Sequence, residues 1–146
     1  MAICISRALL DAIIADAQSD PARERCGLLT GDVDAITGFL PAANVHRDPA
    51  RCFELDPVVL LASHRAARSG GAAPIGHYHS HPNGPARPSP ADAAAADEEG
   101  RLWLIIGSGE ARAWRSTAGG AHLGHFEPVY LEILAPEPLA SRFAAP

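Results

Sequence analysis

The chain has 146 residues, 47% of them apolar, and a formal net charge of −5 at neutral pH. That is enough for one domain with a sizeable core and too little for two, in a composition typical of soluble globular proteins rather than disordered or membrane-embedded ones. The acidic balance argues against nucleic acid as a partner, no apolar run approaches the ~20 residues of a membrane span, and the N-terminal stretch lacks the basic region of a secretory signal.

Residues 2–5 read as a short strand. Ser6 is the expected N-cap of a helix in which Leu9, Leu10, Ile13, Ile14 and Ala17 recur at helical spacing up to about Gln18, before Ser19-Asp20-Pro21 ends it. Residues 26–30 and 33–40 read as strands of a hairpin turning at Gly31-Asp32. Residues 41–52, with prolines, Asn44 and mixed charges, read as a loop, and residues 53–55 as a short strand. Asp56 caps and Pro57 opens a helix that ends near Ser69-Gly70-Gly71. Residues 74–79 form a predicted strand that brings His79 and His81 to its C-terminal end, followed over 82–88 by a loop stiffened by three prolines. Ser89-Pro90-Ala91-Asp92 opens an alanine-rich helix predicted to reach about Glu99. Residues 102–106, 110–115 and 129–134 supply further strands, with a looser segment over 119–125. The prolines of Ala135-Pro136-Glu137-Pro138 end the last strand. The domain is expected over residues 1–138, with a frayed or loosely docked tail at 139–146. This order implies a mixed α/β or α+β domain around a central sheet.

Cys4, Cys26 and Cys52 are too scattered for a disulfide framework or a CxxC metal site, so a reducing cytoplasm is the simplest compartment, with a single bridge left open. The most informative segment is His79-Ser80-His81-Pro82, followed by Ser89 and Asp92. Two imidazoles one residue apart and a carboxylate a short loop later offer three ligands from one stretch of backbone, with a fourth position left for water, as a metal hydrolase requires. Strand alternation puts both histidines on one side. His77 shares that parity and reads as a packed or hydrogen-bonded histidine, while His46, His64, His122 and His125 read as surface residues. Taken alone, Ser89-x-x-Asp92 is first a helix cap; a fixed helix start would also hold Asp92 rigidly beside a metal, so the two roles are compatible. Glu24 stands between Arg23 and Arg25, a setting usually found in solvated ion pairs. Cys26 reads as a small buried residue without chemistry. The zinc deaminase signature, H-x-E followed by P-C-x-x-C, is absent.

Glu24, a long gap, then His79-x-His81-x7-Ser89-x-x-Asp92 resembles the JAMM (MPN+) family of zinc metallopeptidases. The flanking Glu24-Arg25-Cys26-Gly27-Leu28-Leu29-x-Gly31 and Ile75-Gly76-x-Tyr78-His79-Ser80-His81-Pro82 are similar to its short bacterial members, and the likeness covers roughly residues 9–114. The resemblance implies an α/β fold with a deaminase-like mixed sheet flanked by helices. It implies zinc (Zn2+) held by His79, His81 and Asp92, with Glu24 as general base rather than ligand and Ser89 hydrogen-bonding the bound water or the oxyanion. It further implies a peptide or isopeptide bond cut after the C-terminal Gly-Gly of a ubiquitin-like or sulfur-carrier protein. The alternatives are a non-catalytic MPN scaffold module, whose relatives commonly lack metal ligands, and a metal-dependent hydrolase of a small amide or peptide. Iron or cobalt could replace zinc in a His2Asp site.

Overall fold

A computed structural model describes residues 1–135. The predicted strand break over 136–138 and the tail at 139–146 lie outside the described residues. The elements follow the chain as β1 (Ala2–Ser6), α1 (Arg7–Ala17), β2 (Cys26–Gly31), β3 (Ile36–Ala42), α2 (Pro57–Arg68), β4 (Ala73–His81), α3 (Pro90–Ala95), β5 (Leu102–Gly107), β6 (Glu110–Gly120) and β7 (Gly124–Leu134). The strands form one mixed sheet in the order β1-β7-β6-β5-β4-β2-β3, in which β1 runs parallel to β7 and β4 parallel to β5. Cys4 N–H donates to Asp34 O at 2.8 Å, so β1, at one edge, reaches the turn leading into β3, at the other.

Alternation along the central strands divides the core in two. Leu102, Leu104 and Ile106 of β5, with Tyr78 of β4 and Leu29 of β2, pack against Leu10, Ile13 and Ala17 of α1. Trp103 and Ile105 point the other way and join Trp114, Phe126 and Ala86 in a second cluster. Every residue of β5 is buried, as expected of a strand covered on both faces. His77, His79 and His81 alternate with Tyr78, which places them on the second face. The parallel β4–β5 pair requires a crossover connection, and that crossover carries Ser89, α3 and Asp92.

The three helix starts follow local capping chemistry. Leu9 N–H donates to Ser6 Oγ at 3.1 Å and Val58 N–H to Asp56 Oδ1 at 3.0 Å, with Pro57 in the first turn of α2. Several predicted boundaries shift, some through local turn bonds and one through bonds to a distant strand. The hairpin strand begins at Ile36 rather than residue 33, because Asp32 Oδ1 accepts from Asp34 N–H and Ala35 N–H and winds residues 32–35 into a turn. Pro41, expected in a loop, lies within β3, an edge strand where a missing N–H is tolerated. Residues 53–55 make only the isolated Asn44–Leu55 bridge instead of a strand. The helix predicted to reach Glu99 stops at Ala95, since residues 98–101 bond across to β6 instead: Gly100 N–H donates to Ser116 O at 2.7 Å, and Ser116 N–H to Arg101 O at 3.0 Å. β4 extends to His81, and most of the looser 119–125 segment is the turn and bulged start of the β6–β7 ribbon. Tyr130 N–H donates to Met1 O. Pro128, two residues earlier, has its nitrogen on that same side, beyond the start of β1, and therefore leaves no strand partner unsatisfied.

Candidate metal centre and active site

The end of β4 and the start of α3 bring three donor atoms together. His79 Nε2 lies 3.0 Å from His81 Nε2 and 3.2 Å from Asp92 Oδ2, and His81 Nε2 lies 3.1 Å from the same oxygen. Ligands about 2.0–2.1 Å from a tetrahedral ion stand roughly 3.3 Å apart, so the triangle is close to the size of a metal-binding face. His81 Nδ1 is 2.8 Å from Pro85 O. A carbonyl only accepts, so in the neutral ring this nitrogen carries the proton and Nε2 keeps its lone pair for the centre. His79 is fully buried, stacked on Phe53 at 4.2 Å between ring centroids, and its Nδ1 has no hydrogen-bond partner. The stack fixes its ring plane.

The capping role expected of Ser89 and Asp92 is present. Asp92 N–H donates to Ser89 Oγ at 3.1 Å, and Ser89 N–H donates to Asp92 Oδ2 at 2.9 Å, a complete capping box at the first turn of α3. The oxygen that accepts from Ser89 is the one that faces both imidazoles. Ser89 Oγ serves the cap as an acceptor, which leaves its own proton free to donate into the cleft.

Glu24 overturns the solvated ion-pair reading. Arg25 turns away to Asp16 at 2.7 Å, Arg23 is exposed, and Glu24 is 5% exposed with Oε1 buried and unpartnered. One carboxylate oxygen of Glu24 and one ring nitrogen from each of His79 and His81 lie within 4.8 Å of one another. The backbone around it is tightly fixed. Glu24 N–H donates to Pro49 O at 2.7 Å, and Asn44 Nδ2 to Glu24 O at 2.9 Å. Next door, Arg25 N–H donates to Ser80 Oγ at 2.9 Å while Ser80 N–H donates to Arg25 O at 3.0 Å, so the residue between the two histidines clamps the residue after Glu24.

Electrostatics separates the two carboxyl groups. Burial pushes the Glu24 carboxyl up to about 7, against the His81 charge and helped by Asp92 and Asp48. Burial would raise Asp92 too, but the neighbouring His79 and His81 rings and the Ser89 N–H outweigh it and hold the carboxyl well below the usual range. One acid is thus fixed as a carboxylate while the other is poised to trade a proton near neutral pH. Burial lowers His79, and it lowers His77, which packs between Trp103 and Phe53 away from the triangle. Cys26 is buried with its thiol pushed up to about 12 by burial, which suits a packed residue and not a nucleophile. Cys4, Cys26 and Cys52 are all free thiols. Of the histidines expected at the surface, His64 and His125 are exposed, His46 is half-buried, and His122 is half-buried with Nε2 bound to Pro88 O at 2.8 Å.

Glu24, His81 and Ser89 face a cleft of about 360 Å³. The residues that sequence reasoning missed are those that position it. Asn44 bonds Glu24 O, Pro49 O and Cys52 O through Nδ2 and receives His46 N–H and Glu54 N–H at Oδ1. No periodicity or motif marks such a hub; it looks like any loop asparagine. Phe53 and Ser80 were equally silent, although Ser80 lies inside the motif. Among the described residues no helix is long and apolar enough to cross a membrane.

Known proteins share parts of this sequence and its fold. The chain is 40% identical over 91 residues to a desampylase of Haloferax volcanii, covering 61% of this chain and 66% of that one. It is 34% identical over 92 residues to a probable TtuB-protein conjugate cleaving protease of Thermus thermophilus, covering 63% of this chain and 62% of that one. The matches thus span less than two thirds of either relative's length. A JAB1/MPN domain protein of Archaeoglobus fulgidus shares the fold, with a TM-score of 0.59 and 23% identity over 91% of this chain and 98% of that one. Residues 6–117 match the family described as prokaryotic homologs of the JAB domain, and the chain therefore belongs to that branch of the JAMM (MPN+) proteins.

Proposed function

We propose that this protein is a zinc-dependent metallopeptidase that hydrolyses a peptide or isopeptide bond after the C-terminal Gly-Gly of a ubiquitin-like or sulfur-carrier protein. The observation that carries this reading is the convergence of His79 Nε2, His81 Nε2 and Asp92 Oδ2 within 3.2 Å, beside a buried, unpartnered Glu24 carboxyl in the same cleft. His79, His81 and Asp92 are the metal ligands. Zinc, when bound, supplies Lewis acidity toward the amide carbonyl and a water acidified to near neutrality.

The chain supplies the rest. Glu24 takes a proton from the attacking water and returns it to the departing nitrogen as the carbon–nitrogen bond breaks, leaving a carboxylate on the carrier and a free amine. Burial, which raises the carboxyl in the metal-free chain, favours its holding a proton between the two transfers. The free Ser89 proton is donated to the oxyanion as the carbonyl becomes tetrahedral. Asn44 and Ser80 hold the Glu24 backbone against the β4 end, so that base and ligands keep their spacing. The named activities of the desampylase and the TtuB-conjugate protease support the choice of carrier-type substrates. The three free thiols suit a reducing, cytoplasmic setting.

A second reading makes Glu24 the third ligand, since its oxygen and the two histidine nitrogens fall within 4.8 Å of one another. Asp92 is the better ligand because it is closer to both rings and already ionised. The test is the intact mass of a ubiquitin-like sulfur carrier extended beyond its Gly-Gly, incubated with the zinc-loaded protein with and without chelator. Chelator-sensitive cleavage after the second glycine is expected. Intact substrate in every sample refutes the proposal.

A further inference from the structure

One histidine outside the motif reaches the metal centre through a single peptide unit. His122 lies in the turn between β6 and β7, and its Nε2 is 2.8 Å from Pro88 O. A carbonyl only accepts, so Nε2 carries the proton and donates it. The Pro88 carbonyl and the Ser89 N–H are the two ends of one planar amide. At its other end, Ser89 N–H donates at 2.9 Å to Asp92 Oδ2, the oxygen that faces His79 and His81. Two hydrogen bonds and one amide therefore join the β6–β7 turn to the carboxylate.

The chain around that amide leaves one torsion open. Proline rings fix φ at positions 88 and 90. Pro90 also keeps Ser89 extended, with φ −85° and ψ 168°. The ψ of Pro88 has no such restriction, and it swings the Ser89 N–H toward Asp92 or away from it. His122 bonds the carbonyl that turns with this torsion. The ring that does so is itself held. It packs on Trp114 with 5.0 Å between centroids, and Trp114 Nε1 donates to Ala86 O at 3.1 Å, on the same loop as Pro88. His122 N–H donates to Phe126 O at 3.0 Å, and His125 N–H closes the turn on His122 O at 3.1 Å.

We propose that His122 is a positioning residue for the metal centre: by donating to Pro88 O it sets the Pro88–Ser89 amide, and through that amide it keeps Asp92 Oδ2 turned toward His79 and His81. This rests on the reading of Asp92 as a ligand. An amide whose oxygen accepts a hydrogen bond is a stronger donor at its nitrogen, so the two bonds reinforce each other. Groups that orient a ligand in this way raise metal affinity without touching the metal. A histidine that only packed the turn against the loop would need its ring and not its proton, and that difference can be measured.

The experiment compares zinc affinity, by competition with a chromogenic chelator at neutral pH, in the unsubstituted protein, His122→Phe and His122→Gln. Phenylalanine keeps an aromatic ring against Trp114 and loses the donor, whereas glutamine loses the ring and keeps a donor. The zinc dissociation constant should rise roughly tenfold in His122→Phe and stay near the unsubstituted value in His122→Gln. Equal affinity in all three proteins, or a glutamine variant as weak as the phenylalanine one, overturns the positioning role and leaves the metal centre standing. A second measurement needs no variant. In the isotope-labelled, metal-free protein, nuclear magnetic resonance should find the neutral His122 ring protonated at Nε2 and the Ser89 amide proton protected from exchange. A ring protonated at Nδ1, or a freely exchanging Ser89 amide, overturns the role as well. If the unsubstituted protein binds no zinc, the reading of Asp92 as a ligand falls and the positioning role falls with it.

Discussion

Glu24→Gln in the metal-free protein should change how stability depends on pH. In the folded chain the Glu24 carboxyl titrates at about 7, against 4.5 when exposed, chiefly because burial disfavours its charge. Between those values the unfolded chain has released the proton and the folded chain still holds it, so raising the pH favours unfolding. The penalty is absent below the unfolded value and complete above the folded one. Its full size is about 3 kcal/mol, of which about 2.5 kcal/mol develops between pH 5 and pH 8. His79, His81 and Asp92 titrate as well, but they are present in both proteins and largely cancel in the difference. Urea unfolding with chelator present, at pH 5 and pH 8, measures it: the stability of Glu24→Gln relative to the unsubstituted protein should rise by about 2.5 kcal/mol over that interval. Parallel pH profiles would refute the argument, because they would mean that Glu24 is solvated and has an ordinary acidity.

Three further outcomes follow from the same geometry. With zinc supplied, Glu24→Gln should keep the metal and lose turnover, whereas His81→Ala should lose both; bound zinc measured by elemental analysis decides, and a Glu24→Gln protein that binds no metal would make Glu24 a ligand. Ser89→Ala removes the α3 cap acceptor and the cleft donor together, so unfolding free energy should drop by about 1 kcal/mol and kcat by roughly a hundredfold. Unchanged kcat would confine Ser89 to capping. Asn44→Ala releases the carbonyls of Glu24 and Cys52 and the N–H groups of His46 and Glu54. It should cost about 2–4 kcal/mol in urea unfolding, and a loss under 1 kcal/mol would mean that water replaces those bonds readily.

What was legible in the sequence was local. Ser6, Asp56-Pro57 and Ser89-Pro90 announce helix starts because capping chemistry needs only three or four residues, and all three occur where expected. The shared side of His79 and His81 was legible for the same reason, through strand parity, whereas Asp92 taken alone read first as part of a cap and joined them only through the family spacing. The end of α3 was not legible, because alanine propensity yields to hydrogen bonds with β6 far along the chain. Nor was the burial of Glu24 legible from the residues alone. Its neighbours are arginines, but the partner that draws Arg25 away is Asp16, on a helix whose sequence says nothing about the site.

The placement of all three donors on β4 and the crossover that follows it also bears on the order of folding. His79 and Asp92 are 13 residues apart, whereas Ser80 and Arg25, whose bond seats Glu24, are separated by 55. Closing the longer loop costs about 1 kcal/mol more in chain entropy, and it further requires β2 to find β4 across α2. Metal capture by the β4–α3 segment is therefore the cheaper event, and delivery of the base waits for the antiparallel β2–β4 pairing. Under the proposed ligand set, the donor triad can close before Glu24 is seated, and hydrolysis would wait for the completed sheet.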